Sequence, residues 1–219
     1  IFSNYGIILK NHGRLKEAEL STRKAIELNP NYADAYYNLG LILNNLGKLK
    51  EAELSTRKAI ELNPDYEEAH SDLGIILNDL GKLKEAELST RKAIELNPNN
   101  AINHNNLGVI LKDLGKLKEA ELSTRKAIEL NPNYEIGHYN LGIILNKVGK
   151  LKEAELSTRK AIELNPDYVD AYYNLGEILR QLGQSKDAIL CSEKTLTIRP
   201  WSIQGVYGLN HTCEIEASS

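Results

Sequence analysis

The chain has 219 residues, 42% hydrophobic and 26% charged, with a formal net charge of −3 at pH 7. That balance gives no basic footprint for nucleic acid, and no apolar run approaches the roughly 18 residues a membrane-spanning helix needs. Lys and Glu alternate instead of segregating, which argues against an anionic membrane surface.

The six prolines, Pro30, Pro64, Pro98, Pro132, Pro166 and Pro200, all stand at one spacing, and the string GKLKEAELSTRKAIELNP recurs unchanged from Gly47, Gly81, Gly115 and Gly149. Arg14 replaces Lys in the copy that starts at Gly13. A fixed period marks one supersecondary unit copied along an array. In chain order the copies are Ile1–Tyr32, which lacks its first two positions, Ala33–Tyr66, Glu67–Asn100, Ala101–Tyr134, Glu135–Tyr168 and Val169–Ser202. Ile203–Ser219 reads as a capping helix with a frayed end, where Asn210 replaces the glycine of the copies. Because the chain lacks Met and opens within a copy, it reads as an internal stretch of a longer protein.

Within Ala33–Tyr66, Leu39, Ile42, Leu43 and Leu46 recur at helical spacing and predict a first helix over 33–46. Asn31 with Asp34, and Asp65 with Glu68, resemble capping-box starts. Gly47 ends the helix through the left-handed region. A second helix is expected over 49–62, with Leu49, Ala52, Ala59, Ile60 and Leu62 as its apolar positions, and Pro64 forbids its continuation. Gly40 inside the first helix predicts a close helix–helix approach, with small Ala52 facing it. Neither helix can bury its stripe alone, so the hairpins must stack.

Tyr36, Leu39-Gly40, Ala52, Ala59 and Pro64 at these offsets resemble the tetratricopeptide repeat, a likeness that covers essentially the whole chain. It implies an all-α fold, a right-handed superhelical solenoid of antiparallel helix pairs, with first helices on a concave face and second helices on a convex one. The family commonly has aromatics where Leu43 and Thr56 stand here. Smaller side chains there should bring the helices closer or leave the core less full. Similar leucine-rich, near-identical arrays occur in bacterial proteins, so the resemblance also implies a bacterial source.

The sequence offers little chemistry. His70, His104 and His138 share one position with Tyr36 and Tyr172 on successive first helices, too far apart to ligate one metal. Glu53, Arg57 and Glu61 are spaced as a charge ladder on the exposed side of a second helix. Ser55-Thr56 hydroxyls are placed to bond back to the preceding turn. Cys191 and Cys213 read as reduced thiols, with a disulfide between them as the alternative. No catalytic, cofactor or metal constellation is present, so a non-enzyme is expected.

Variation between copies falls on the first helices. The candidate ligand-contacting residues are Tyr37, Asn38, Leu41, Ile75, Asn78, Asn106, Val109, Tyr139, Asn140, Ile143, Tyr173 and Asn174. The apolar members make a groove floor, and the tyrosines add stacking area. Asn38, Asn106, Asn140 and Asn174 resemble the ladder lining the repeat arm of O-linked N-acetylglucosamine transferases, where an amide can hold a peptide backbone through both donor and acceptor, while Asn78 belongs to a polar set that edges the groove. Uncharged Tyr37, Ser71 and Asn105 and apolar Leu41, Ile75 and Val109 stand where chaperone-binding relatives place a carboxylate clamp. The expected function is a cytoplasmic protein–protein interaction scaffold binding an extended or helical protein segment in its concave groove. The alternatives are the recruiting arm of a glycosyl- or sulfotransferase and an array that associates end to end.

Overall fold

The computed structural model of the chain describes residues 2–200. Among these are twelve α-helices and no strand: α1 (Phe2–Asn11), α2 (Leu15–Leu28), α3 (Ala33–Asn45), α4 (Leu49–Leu62), α5 (Glu67–Asp79), α6 (Leu83–Leu96), α7 (Ala101–Asp113), α8 (Leu117–Leu130), α9 (Glu135–Val148), α10 (Leu151–Leu164), α11 (Val169–Gln181) and α12 (Ser185–Ile198). The expected capping helix, with Asn210 and Cys213, lies outside the described residues.

The turns explain the boundaries. At the end of α3 the Gly47 N–H donates to the Asn44 carbonyl and the Lys48 N–H to the Leu43 carbonyl, both at 2.9 Å. These are the paired bonds of a Schellman ending, and they require the left-handed φ of 73° that Gly47 adopts. Asn63, held extended at φ −139° and ψ 91° before Pro64, closes α4. The helix starts differ from expectation. Tyr32 and Tyr66 occupy the N-cap positions of α3 and α5 and cap nothing with their side chains. The asparagines are used earlier: Asn29 Oδ1 accepts from the Asn31 N–H at 3.2 Å, folding the loop before the helix begins. Asn100 alone among these N-caps accepts from its own helix, at the Ile102 N–H 3.0 Å away.

The chain divides into two compact units, one ending at Leu114 and one starting at Gly115. In the first, α3 packs on both α4 and α5, and each core cluster draws on neighbouring copies. Leu39, Leu43 and Ala52 meet Ile76 of the following copy, with Ile26 and Leu80 packed against them. The second unit repeats the arrangement with Leu141, Leu145, Ala154 and Ile178.

Gly40 does mark a close approach, but its partner is Thr56 more than Ala52. A Cβ there would fall well inside van der Waals contact distance of Thr56 Oγ1 and 3.5 Å from the Ala52 carbonyl oxygen. Thr56, which stands where the family commonly has an aromatic, is therefore the small residue that lets α3 and α4 touch. Its hydroxyl donates to the Ala52 carbonyl at 2.9 Å, so it is satisfied inside its own helix.

The charge ladder also runs differently from its expected course. Glu53 is buried, not on the exposed side. Arg57 donates to Glu53 at 3.0 Å and reaches forward to Glu85 of the next copy, while Lys82 of that copy grips both Glu53 oxygens at 2.8 and 2.7 Å. Glu61 pairs instead with Lys58. Burial opposes the Glu53 charge, but Lys82 and Arg57 outweigh it and hold the carboxyl below its usual range. These charges tie copy to copy, because a carboxylate taken out of water needs cations on every open side.

Candidate functional site

In the first unit α3, α5 and α7 lie side by side, each touching the next. Tyr37, Asn38, Leu41, Ile75, Asn78, Asn106 and Val109 are all half-buried on these helices. Tyr37 is tightly fixed. Its ring packs against Tyr66 with centroids 4.9 Å apart and planes tilted by 46°, and its hydroxyl donates to Asp72 Oδ2 at 2.7 Å. Burial and the Asp72 charge push the Tyr37 phenol far above its ordinary value, so it stays a neutral donor. Burial likewise raises the Asp72 carboxyl, although the Tyr37 hydrogen bond works against that shift. The amides are drawn into the protein's own network. Asn106 donates to Ser71 Oγ at 3.4 Å, and Asn78 to Asp113 Oδ2 at 3.5 Å.

The second unit brings α9 and α11 together. Tyr139, Asn140, Ile143, Tyr173 and Asn174 are again half-buried. Tyr139 stacks on Tyr168 at 4.9 Å and 44°, the same arrangement one unit on. Asn174 turns toward α10 and donates to Thr158 Oγ1 at 3.1 Å. At the position of Leu41 and Ile75, α11 carries Glu177, which accepts from Arg180 at 2.6 Å.

The histidines have a clear structural task. In His70, His104 and His138 the Nε2 atom lies 2.9 Å from the carbonyl oxygen of Pro64, Pro98 and Pro132 respectively. A carbonyl only accepts, so each ring donates from Nε2 and ties the helix to the loop before it. Among the described residues no group of three or more His, Cys, Asp or Glu could hold a metal ion. Cys191 is buried and free, and burial pushes its thiol up to about 11.

The second-helix face holds what the sequence pattern did not reveal. Leu20, Leu54 and Leu88 are 70%, 69% and 70% exposed in the first unit, and Leu122, Leu156 and Leu190 repeat the position in the second. Beside them run grooves between successive second helices. One, of about 460 Å³, has Ile60, Leu73 and Leu77 as its floor, Leu88 as a wall, and Arg57, Glu61, Glu85 and Lys92 at its edge. Equivalent grooves of about 360 and 450 Å³ lie beside Leu54 and Leu190. The signal was present in the helix period: Ala52, Thr56 and Ala59 define the buried side, and Leu54 stands opposite it.

The repeat geometry is matched by sequence. Tetratricopeptide-repeat profiles match residues 33–66, 101–134 and 136–168, with further profiles of the same repeat over 67–100 and 158–189 and a TPR-repeat profile over 8–47. The chain belongs to the tetratricopeptide-repeat family, whose fold is typical of protein–protein interaction scaffolds. Among solved structures it is similar to YrrB, described as a TPR protein with an unusual peptide-binding site. The two share 27% identity at a TM-score of 0.63, over 85% of this chain and 96% of that one. It is also similar to pilF of Pseudomonas aeruginosa, at 19% identity and a TM-score of 0.81 over 100% and 96% of the two chains. The APC/C hetero-tetramer Cut9–Hcn1 gives 17% identity and a TM-score of 0.86. The match covers 96% of this chain but spans only 42% of that longer one. Comparison with curated protein sequences returns no match. No helix among the described residues is long and apolar enough to cross a membrane.

Proposed function

We propose that the chain is a non-catalytic scaffold that binds an extended or helical protein segment along the groove lined by its first helices. One observation carries this reading: the copies share nearly identical second helices but differ on the first, where half-buried Tyr37, Leu41, Ile75 and Val109 lie among amide side chains. A mixed apolar and amide surface suits a peptide, whose backbone needs donors and acceptors while its side chains need apolar area. Tyr37 and Tyr139, pre-fixed by their ring partners, would offer that area at little entropic loss. The likeness to YrrB, a peptide-binding repeat protein, supports the same reading.

The test compares partners captured from source-cell lysate by the wild-type chain and by the triple variant Ile75→Asp, Val109→Asp, Ile143→Asp, with circular dichroism to verify folding. Partners held by the first and lost by the second support groove binding. Equal capture by both would rule it out.

A further inference from the structure

Charge in the first unit is sorted between the two kinds of helix. α4 balances Lys50, Arg57 and Lys58 against Glu51, Glu53 and Glu61. α3 and α5 carry Asp34, Glu67, Glu68, Asp72 and Asp79, and no Lys or Arg. Three of these carboxylates gather at the Tyr37–Tyr66 ring pair. Asp72 accepts from the Tyr37 hydroxyl, and burial together with Asp34 and Glu68 pushes the Tyr66 phenol above its ordinary value. Asp72 stands where α3, α7, α9 and α11 have Asn38, Asn106, Asn140 and Asn174, so at this one point the amide row becomes an acceptor only. Tyr37 occupies Oδ2 and leaves Oδ1 open, while Lys10 of α1 attracts the half-buried carboxylate without pairing with it. Donors are short on the same helices. Asn78 and Asn103 commit their amide nitrogens to Asp113 and Glu67, and Oδ1 of each is buried with no partner among the described residues. Asn103 is fully buried. What this face lacks, in charge and in hydrogen bonds alike, is a positively charged N–H donor.

We propose that the segment bound by the first unit is basic, and that one of its lysine or arginine side chains packs on Tyr37 with its charge at Asp72. This rests on the groove reading given above and names the chemistry of its ligand. Asp34 and Glu68, both exposed beside the ring pair, add to the attraction. A cation beside a tyrosine ring is drawn by the ring itself, more strongly where water is partly excluded. The ring is held ready for it, by Tyr66 on one side and by the bond to Asp72 at its tip. The second unit provides the contrast. Tyr139 and Tyr168 form the same ring pair, but Asn174 replaces Asp72 and Ile136 replaces Asp34. There α9 and α11 set Lys147 and Arg180 against Glu135, Asp170 and Glu177. The preference for a cation therefore belongs to the first unit.

The experiment selects binders from a random peptide library on the full chain and measures them by fluorescence anisotropy against three variants, each verified as folded by circular dichroism. The cluster variant is Asp34→Asn, Glu68→Gln, Asp72→Asn. The charge control is Glu61→Gln, Glu95→Gln, Glu129→Gln, which changes net charge equally at exposed second-helix positions. The groove variant is Ile75→Asn, Val109→Asn, Ile143→Asn, which is neutral and acts by no change of charge. The expected result is a selection rich in Lys or Arg. The cluster variant, or glutamine in place of the peptide's cations, should weaken binding by at least about tenfold, and the charge control should leave it unchanged. Peptides that the groove variant releases, but that show no excess of Lys or Arg or respond equally to the cluster variant and the charge control, overturn this inference and leave the groove reading standing. Peptides indifferent to the groove variant, or a selection that enriches none, overturn the groove reading and this inference with it.

Discussion

The tight approach of first and second helices makes a specific demand on Gly74. An added Cβ would overlap Thr90 Oγ1 and sit 3.4 Å from the Ala86 carbonyl oxygen, so Gly74→Ala overfills the contact between α5 and α6. Overpacking of this kind costs about 2 kcal/mol, while alanine's better helix propensity returns about 1 kcal/mol. The expected net loss is about 1 kcal/mol. Thr90→Ala alone should be within about 0.5 kcal/mol of neutral, because the hydroxyl it removes is buried and has no hydrogen-bond partner among the described residues. Combined, the two changes should leave the chain as stable as wild type or better, a coupling of about 1 to 2 kcal/mol. Urea unfolding followed by far-ultraviolet circular dichroism reads all four corners of the cycle. If Gly74→Ala stabilises the chain, or if the two effects simply add, the close-approach argument is wrong.

Other expectations follow from the charges and rings. Lys82→Met leaves buried Glu53 with Arg57 alone; because Lys82 is 43% exposed, the expected loss at neutral pH is only about 1 kcal/mol in thermal or urea unfolding. Since the folded Glu53 carboxyl lies below its unfolded value of 4.5, its stabilisation is full above that value and disappears as pH falls through the folded pKa. Wild type should therefore lose more stability than Lys82→Met on acidification, and equal losses would contradict the triad. The Asp72 carboxyl is shifted the other way, so its charge opposes folding at neutral pH. Asp72→Asn should raise the urea midpoint at pH 7 while Tyr37 stays buried, and a lowered midpoint would show that the carboxylate is needed by its partner. Long-range nitrogen–proton NMR should find the neutral ring of His70 protonated on Nε2; an Nδ1–H tautomer would exclude its bond to the Pro64 carbonyl.

Local chemistry made the helices legible. Proline and glycine have backbone preferences that need no tertiary partner, so the second helix over 49–62 is found as expected, and the first ends at Asn45, one residue short of the expected 46. The close approach at Gly40 could also be read, because glycine inside a helix needs a packing reason. Features that depend on the next copy were less legible. Glu53 looks like a surface residue until Lys82, far along the chain, is folded over it. Asn174 looks like a ligand-facing amide until Thr158 is brought within 3.1 Å. The N-cap falls at Tyr32 instead of Asn31, and the asparagine that bonds locally is Asn29, which accepts from the Asn31 N–H. Leu54 was visible on a helical wheel but counter to the habit of assigning every leucine to a core.

α4 and α6 carry the same residues in the same order, Glu53, Arg57 and Ala52 in one and Glu87, Arg91 and Ala86 in the other. Removing residues 47–80 would therefore join α3 to α6 through a junction chemically the same as the one α3 already makes with α4. The first helices would sense it: Tyr37 would lose its ring partner Tyr66 and its acceptor Asp72, whose equivalents in the next copy are Asn100 and Asn106. Gain or loss of a whole copy would thus leave the second-helix junctions chemically unchanged and be felt on the first helices, where residues differ from copy to copy.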